Sequence, residues 1–164
     1  WDVRTGLPVT DQMNTESDQA RVAAFSPDGS LIATGSKDNT AKVWDAYDGR
    51  LLDTLIGHSD EVWSVAFSPE GTRLVTVSWD KSARVWDMID YSLLATLDGH
   101  ELSIESAQFS PNGMMVVTAS RDRTAKVWDA QTGKVRPETM PFTRMANSAI
   151  VKIPAHFEGV VMGD

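Results

Sequence analysis

The chain has 164 residues, 41% of them hydrophobic and 23% charged, which suffices for a globular domain with its own core. Its 23 Asp and Glu outnumber its 15 Lys and Arg, giving a net charge of −8 that argues against nucleic acids and anionic membranes as partners. The absence of cysteine excludes disulfides and thiolate zinc sites, and no apolar run approaches the roughly 18 residues of a transmembrane helix.

Residues 1–19 predict the end of one structural unit and a polar loop. The segment starts with Trp1-Asp2, a pair that recurs at equivalent places at 44–45, 86–87 and 128–129. A polar stretch at 11–18 then reads as a solvated connection. Because Trp1 rather than Met begins the sequence, we expect the chain to be a piece of a longer protein.

An internal repeat organises the rest of the sequence. The motif Phe-Ser-Pro-x-Gly begins at Phe25, Phe67 and Phe109, each 42 residues after the one before. Three Trp-Asp pairs keep that spacing, and so do the Gly-His pairs at 57–58 and 99–100. More than half of the columns between the Phe and the Trp-Asp pair are identical in all three copies. A period near 42 residues predicts a repeat architecture.

Each repeat predicts four short strands joined by turns. In the second copy, apolar and β-branched runs predict strands at 62–67, 73–78, 83–86 and 93–97. Ser68-Pro69-Glu70-Gly71 has the composition of a type I turn between the first two strands. No segment has the 3.6-residue periodicity of a helix.

The repeats divide the chain into five segments of one domain. We predict the end of a preceding blade and a loop at 1–19, three blades, and a partial blade or irregular tail. The blades cover 20–55, 56–98 and 99–139, and the tail covers 140–164. Residues 135–147 carry two prolines and predict a degenerate fourth strand followed by a loop.

These Gly-His and Trp-Asp motifs resemble those of the WD40-repeat (WD-repeat) family over residues 1–134. The wording of the motifs in sequence looks most like that of bacterial members. The resemblance implies an all-β fold, a β-propeller segment made of four-stranded antiparallel blades. Three full blades are too few for a closed ring, since propellers have about 4–8. We therefore expect either self-association or further blades from the parent protein.

The resemblance also implies a buried hydrogen-bond network in each blade. In the family, the His of Gly-His, the Ser that ends the second strand, the Asp of the next turn and the Trp of Trp-Asp belong to it. The corresponding residues are His58, Ser78, Asp80 and Trp86, then His100, Ser120, Asp122 and Trp128, and in the first blade Ser36, Asp38 and Trp44. Glu16 stands in the histidine column of that first blade, so its network is expected to be incomplete.

The Ser, Asp and His of these columns also have the composition of a hydrolase triad. Two equivalent copies in one short chain fit a structural element better than an active site. His156 is the only histidine outside the network columns, and a lone histidine is a poor metal ligand. We therefore expect no catalytic residues, no metal and no cofactor.

Two tryptophans lie outside the network columns and give the main functional hint. Trp63 and Trp79 correspond to Arg21 and Glu105, and to Lys37 and Arg121, in the other repeats. Because these columns are polar elsewhere, packing does not require Trp there. We predict a partner-binding patch centred on the two rings, with Glu61, Lys37, Glu105 and Arg121 as its charged border.

The resulting hypothesis is a non-catalytic, cytoplasmic scaffold that binds proteins or peptides at one rim of a propeller. The alternative is a regulatory or sensor propeller of a signalling enzyme, such as a kinase or nucleotide-dependent switch, whose catalytic domain lies outside this sequence. A glycine-rich nucleotide loop in the parent protein would favour that alternative.

Overall fold

A computed structural model describes residues 19–136 and 140–141 as three antiparallel β-sheets, with no helix among them. Within these residues, then, nothing helical is long and apolar enough to cross a membrane. The predictions for Glu16, for His156, for residues 1–18 and for most of the tail at 140–164 lie outside the described residues.

Each sheet has four strands that are paired in chain order. The strands of the first sheet are β1 (Ala20–Phe25), β2 (Leu31–Ser36), β3 (Ala41–Asp45) and β4 (Leu51–Leu55). Those of the second are β5 (Val62–Phe67), β6 (Arg73–Ser78), β7 (Ala83–Asp87) and β8 (Leu93–Leu97). Those of the third are β9 (Ile104–Phe109), β10 (Met115–Ser120), β11 (Thr124–Asp129) and β12 (Met140–Pro141).

The strand predictions for the second repeat are confirmed, with β7 ending one residue later than expected. The turn prediction is confirmed as well, because the Gly71 N–H donates to the Ser68 carbonyl at 2.9 Å, and the glycine has a left-handed φ of 76°. Among the described residues, the outer edge of the third sheet consists of the two-residue β12 and an isolated bridge from Trp128 to Val135.

The sheets stack face to face through their first strands, since β1 contacts β5 and β5 contacts β9. One apolar cluster fills the space between the first and second sheets, and another the space between the second and third. Strand β6 shows why its sequence is almost continuously apolar. Leu74 faces the first sheet, whereas Val75 and Val77 face the third.

The described residues do not close a ring, which agrees with the fold expected from the repeat count. The phenylalanine that begins each Phe-Ser-Pro-x-Gly motif is buried where a neighbouring sheet covers it and exposed where none does. Phe109 is 8% exposed where β9 packs on the second sheet, while Phe25 at the start of the stack is 67% exposed.

We predict that equivalent phenylalanines contribute very differently to stability. Phe109→Ala should lower the free energy of unfolding by about 3–5 kcal/mol, because it removes a buried ring and leaves a cavity. Phe25→Ala should change it by only about 0.5 kcal/mol, as for most exposed positions. Urea denaturation of the two variants measures the difference, and equal losses would contradict the stacking order.

A candidate interaction rim and the network beneath it

A linear hydrogen-bond network joins two strands, a loop and a turn of the second sheet. The Trp86 indole N–H donates to the Thr76 hydroxyl at 3.0 Å, and Thr76 lies 2.8 Å from His58 Nε2. His58 Nδ1 lies 2.8 Å from an Asp80 carboxylate oxygen. The third sheet repeats the arrangement with Trp128, Thr118, His100 and Asp122, at distances of 2.7–2.8 Å.

The network has a consistent donor order when the histidine is neutral. Trp86 donates to Thr76, the Thr76 hydroxyl donates to Nε2, and the Nδ1–H of His58 donates to Asp80, so each polar atom is satisfied. Both histidine side chains are almost completely buried. Burial lowers the pKa of His100, against the opposing effect of its bond to Asp122, and so favours this neutral form.

The turn aspartates remain ionised although they are partly buried. Burial raises the pKa of Asp80, but hydrogen bonds from His58 and Ser82 outweigh it and hold the pKa well below its usual range. The same balance, with hydrogen bonds from Thr124 and His100, lowers the pKa of Asp122. Asp80 also accepts the N–H of Ser59, so one carboxylate ties the β6–β7 turn to the Gly-His loop.

Threonine links the tryptophan to the histidine, and Ser78 and Ser120 lie buried at the aspartate end of the same network. The Ser78 hydroxyl donates to the Asp60 carbonyl at 2.8 Å and accepts the Asp80 N–H at 3.0 Å. Sequence reasoning missed Thr76 and Thr118. The available signal was that threonine is invariant in this column, as Thr34, Thr76 and Thr118.

The geometry gives these groups a structural role and no nucleophile-base pair. Both ring nitrogens of His58 are engaged, one by Asp80 and one by Thr76. Ser78 is fully buried, and its hydroxyl bonds backbone groups. A hydrolytic serine needs an accessible hydroxyl beside a free ring nitrogen. Within residues 19–136, no group of three His, Asp or Glu side chains gathers to hold a metal ion.

The first sheet keeps only part of this arrangement in the described residues. The Trp44 indole donates to Thr34 at 2.9 Å, as in the other sheets. The Asp38 carboxylate pairs with the Lys42 amine at 2.8 Å, and bonds from Lys42 and Thr40 outweigh the effect of burial and lower the pKa of Asp38 to about 2. A lysine thus neutralises the turn carboxylate where the other sheets use histidine.

Trp63 and Trp79 occupy positions that do not take part in packing one sheet against the next. In each first strand the pairing register shifts by one residue, and the extra residue is Arg21, Trp63 or Glu105. A β-bulge of this kind re-aims its side chain away from the alternation of the strand. The Trp79 backbone N–H donates to the Glu61 carbonyl, which brings the second tryptophan to the same rim.

The two tryptophans stack on each other with ring centroids 4.9 Å apart and an interplanar angle of 26°. The Arg21 guanidinium lies over the Trp63 ring at 5.5 Å, and that of Arg121 lies over the Trp79 ring at 5.2 Å. The four side chains form a row across all three sheets, which we call the tryptophan rim: Arg21, Trp63, Trp79 and Arg121. Both rings are half-buried, so neither is lost to the interior.

The predicted border residues take different places around the tryptophan rim. Glu61 pairs with Arg21 of the neighbouring sheet at 2.7 Å, and Glu105 pairs with Arg121 within its own sheet. Lys37 is exposed and contributes its backbone N–H to the Gln19 carbonyl. Arg21 was recognised only as the counterpart of Trp63, because aligning repeats does not reveal a side chain that reaches into the next sheet.

Comparison with known proteins agrees with this geometry. A profile of the family described as WD domain, G-beta repeat matches residues 15–45, 49–87 and 91–129. A crystal structure of RRP9 WD40 repeats superimposes with a TM-score of 0.73 at 25% identity, covering 78% of this chain and 40% of that one.

Curated relatives match over shorter stretches. WD repeat and SOCS box-containing protein 1 is 42% identical over 60 residues in both Danio rerio and Xenopus tropicalis, covering 35% of this chain and 14% of each relative. Nuclear distribution protein PAC1-2 of Postia placenta is 50% identical over 36 residues, covering 22% of this chain and 8% of that protein. These relatives are eukaryotic and give no support to the bacterial resemblance.

We predict that acid weakens the fold through His100. Because the folded-state pKa of His100 is lowered from 6.5, its stabilising contribution is complete above that pH and is lost as the pH falls toward the lower folded value. Urea denaturation across this pH range should show falling stability. His100→Gln should be less stable at neutral pH by roughly 1–3 kcal/mol, with a flatter pH dependence. An unchanged slope in the variant would contradict this assignment.

We also predict that the first sheet opens before the second. Within residues 19–136, Thr34 bonds Trp44 without a histidine beyond it, and the Phe25 ring is mostly exposed. Amide hydrogen exchange should therefore be faster in β2 and β3 than in β6 and β7. Equal protection of the two pairs of strands would show that the Asp38–Lys42 pair fully compensates for the histidine.

Proposed function

Because the chain belongs to the WD-repeat family, we propose that it is a non-catalytic scaffold that binds protein or peptide partners through the tryptophan rim. The observation that carries the proposal is the stacked pair of tryptophans, placed at bulge and turn positions where the sister repeats have charged residues. The chain covers 14% of the vertebrate relatives that it matches. The proposal therefore concerns the role of the described sheets and not that of a whole protein.

The rim has the physical properties of a binding hot spot. Stacking fixes both rings before a partner arrives, and the flanking arginines add cation–π contacts, so little side-chain entropy remains to be lost on binding. Among the described residues, the Trp79 indole N–H has no hydrogen-bond acceptor. This nitrogen is shielded from solvent by the surrounding side chains, so the unsatisfied donor costs the fold about 1–3 kcal/mol at this rim.

Charged side chains border the two tryptophans. Glu61 is largely buried and committed to Arg21, whereas the Arg121 side chain is 54% exposed and Lys37 is exposed as well. Three of the four border residues are thus held in ion pairs, and Lys37 adds an exposed cationic group although the whole chain is acidic. A partner segment that combines an apolar side chain with hydrogen-bond acceptors fits this arrangement.

The test replaces the tryptophan pair by the pair that the third sheet already uses. Trp63→Glu combined with Trp79→Arg reproduces Glu105 and Arg121, which pair with each other at the same rim, so folding should be retained. Partner binding should fall at least about 30-fold, because loss of a hot spot costs about 2 kcal/mol or more. Affinity enrichment with quantitative mass spectrometry compares the wild type with the variant.

A matched variant separates binding from folding. Ile56→Gln changes a residue that is 75% exposed on the Gly-His loop without touching the tryptophans, and it should retain the captured proteins. Capture that survives Trp63→Glu/Trp79→Arg at full strength in a folded variant would refute the proposal. A loss of stability without a loss of binding would show that the row only fastens the three sheets together.

A further inference from the structure

The rim opposite the tryptophans carries exposed apolar side chains that the proposed function does not use. Because consecutive strands are antiparallel, the turns after β3 and β7 lie at the other end of the sheets from the tryptophan rim. Tyr47 and Ile89, at equivalent positions in these turns, are 87% and 82% exposed. Leu51 and Leu93, which begin the next strands, are each 43% exposed.

The fold does not require apolar residues at these two turn positions. The third sheet has Gln131 in the same column, and its turn is built in the same way. In all three turns the preceding aspartate accepts the backbone N–H of this residue, at 2.8 Å for Tyr47, 2.6 Å for Ile89 and 3.1 Å for Gln131. Apolar side chains that packing does not need and solvent does not favour indicate a contact surface.

Tyr91, in the second of these turns, has an unfavourable backbone conformation. Its φ is 61°, whereas the other repeats have glycine in this column, with φ 74° at Gly49 and 68° at Gly133. The left-handed conformation is less favourable for a residue with a Cβ atom than for glycine. The Tyr91 side chain nevertheless packs on the core between the first two sheets, beside Asp53. Tyr91 thus keeps a large side chain on this rim at a position where the other two repeats have glycine.

The same rim is strongly acidic. Five aspartates accompany the apolar residues, at Asp45, Asp48, Asp53, Asp87 and Asp90. Two arginines lie at the same end of the sheets: Arg50, and Arg73, which is opposite Asp87 in the strand register and bonds Glu70. Hydrogen bonds from the Ser92 side chain and backbone lower the pKa of Asp90. The equivalent turn of the third sheet balances Asp129 with Lys134 and Arg136. The acidic character is therefore confined to the first two sheets.

We propose that this surface, the acidic rim formed by Tyr47, Leu51, Ile89, Tyr91, Leu93 and the five aspartates, docks a basic amphipathic segment of a second protein. The apolar side chains of that segment cover Tyr47 and Ile89, and its lysines or arginines pair with the aspartates. The site is separate from the tryptophan rim, so the scaffold has two docking surfaces of opposite character.

The experiment uses two short synthetic amphipathic helical peptides, one of leucine and lysine and the other with glutamate in place of every lysine. Fluorescence anisotropy with the 164-residue chain should show at least about 10-fold tighter binding of the lysine peptide, weakening as salt screens the charges. Tyr47→Gln combined with Ile89→Gln should reduce that binding at least about 10-fold. Gln131 in the sister turn shows that glutamine suits this position.

Two controls exclude general attraction to an acidic protein. Ile56→Gln combined with Leu102→Gln changes exposed residues on the opposite rim, and Trp63→Glu combined with Trp79→Arg removes the tryptophan pair. Both should bind the lysine peptide as the wild type does, and amide NMR shifts should map to 45–53 and 87–94. Equal binding of the two peptides, unaltered binding by the Tyr47/Ile89 variant, or shifts at the tryptophan rim would overturn the proposal.

Discussion

The structure depends on the hydrogen-bond chain that runs from tryptophan through threonine and histidine to aspartate. In the second sheet it connects β7, β6, the Gly-His loop and the β6–β7 turn, and it does so on the face that packs against the first sheet. Every donor has one acceptor, so burial costs these polar groups little. Because this hydrogen-bond network lies between two sheets, it fixes the strands of one sheet and the surface against which the neighbouring sheet packs.

This constraint separates the residues that must be kept from those that can change. Leu74, Val75 and Val77 face one neighbouring sheet or the other, and Thr76 belongs to the network, so the four central positions of β6 are all constrained. The bulge in each first strand provides one, since its extra residue points out of the alternation. Arg21, Trp63 and Glu105 can therefore differ without disturbing the packing beneath them.

The repeat made most of the fold predictable, because identical columns must serve identical structural needs. Strand limits and the Ser-Pro-x-Gly turns follow from alternation and from the backbone preferences of proline and glycine. The threonines of the network were missed because Thr76 lies within an apolar run and reads as an ordinary β-branched strand residue. The Arg21–Trp63 contact crosses between sheets, and the strain at Tyr91 is a property of backbone conformation. Comparing repeats does not reveal a contact between sheets, whereas the glycines in the Tyr91 column were an available signal for the strain.

The strands of the second sheet are five or six residues long, and this sets the distance between its two rims at about 17–20 Å. A chain segment only a few residues long can span that distance. Two segments of a single partner, one on each rim, would thus be held at an effective concentration in about the millimolar range. Two weak contacts would then combine into one tight complex, and the rigid sheet between them would act as a ruler that selects partners by the spacing of their segments.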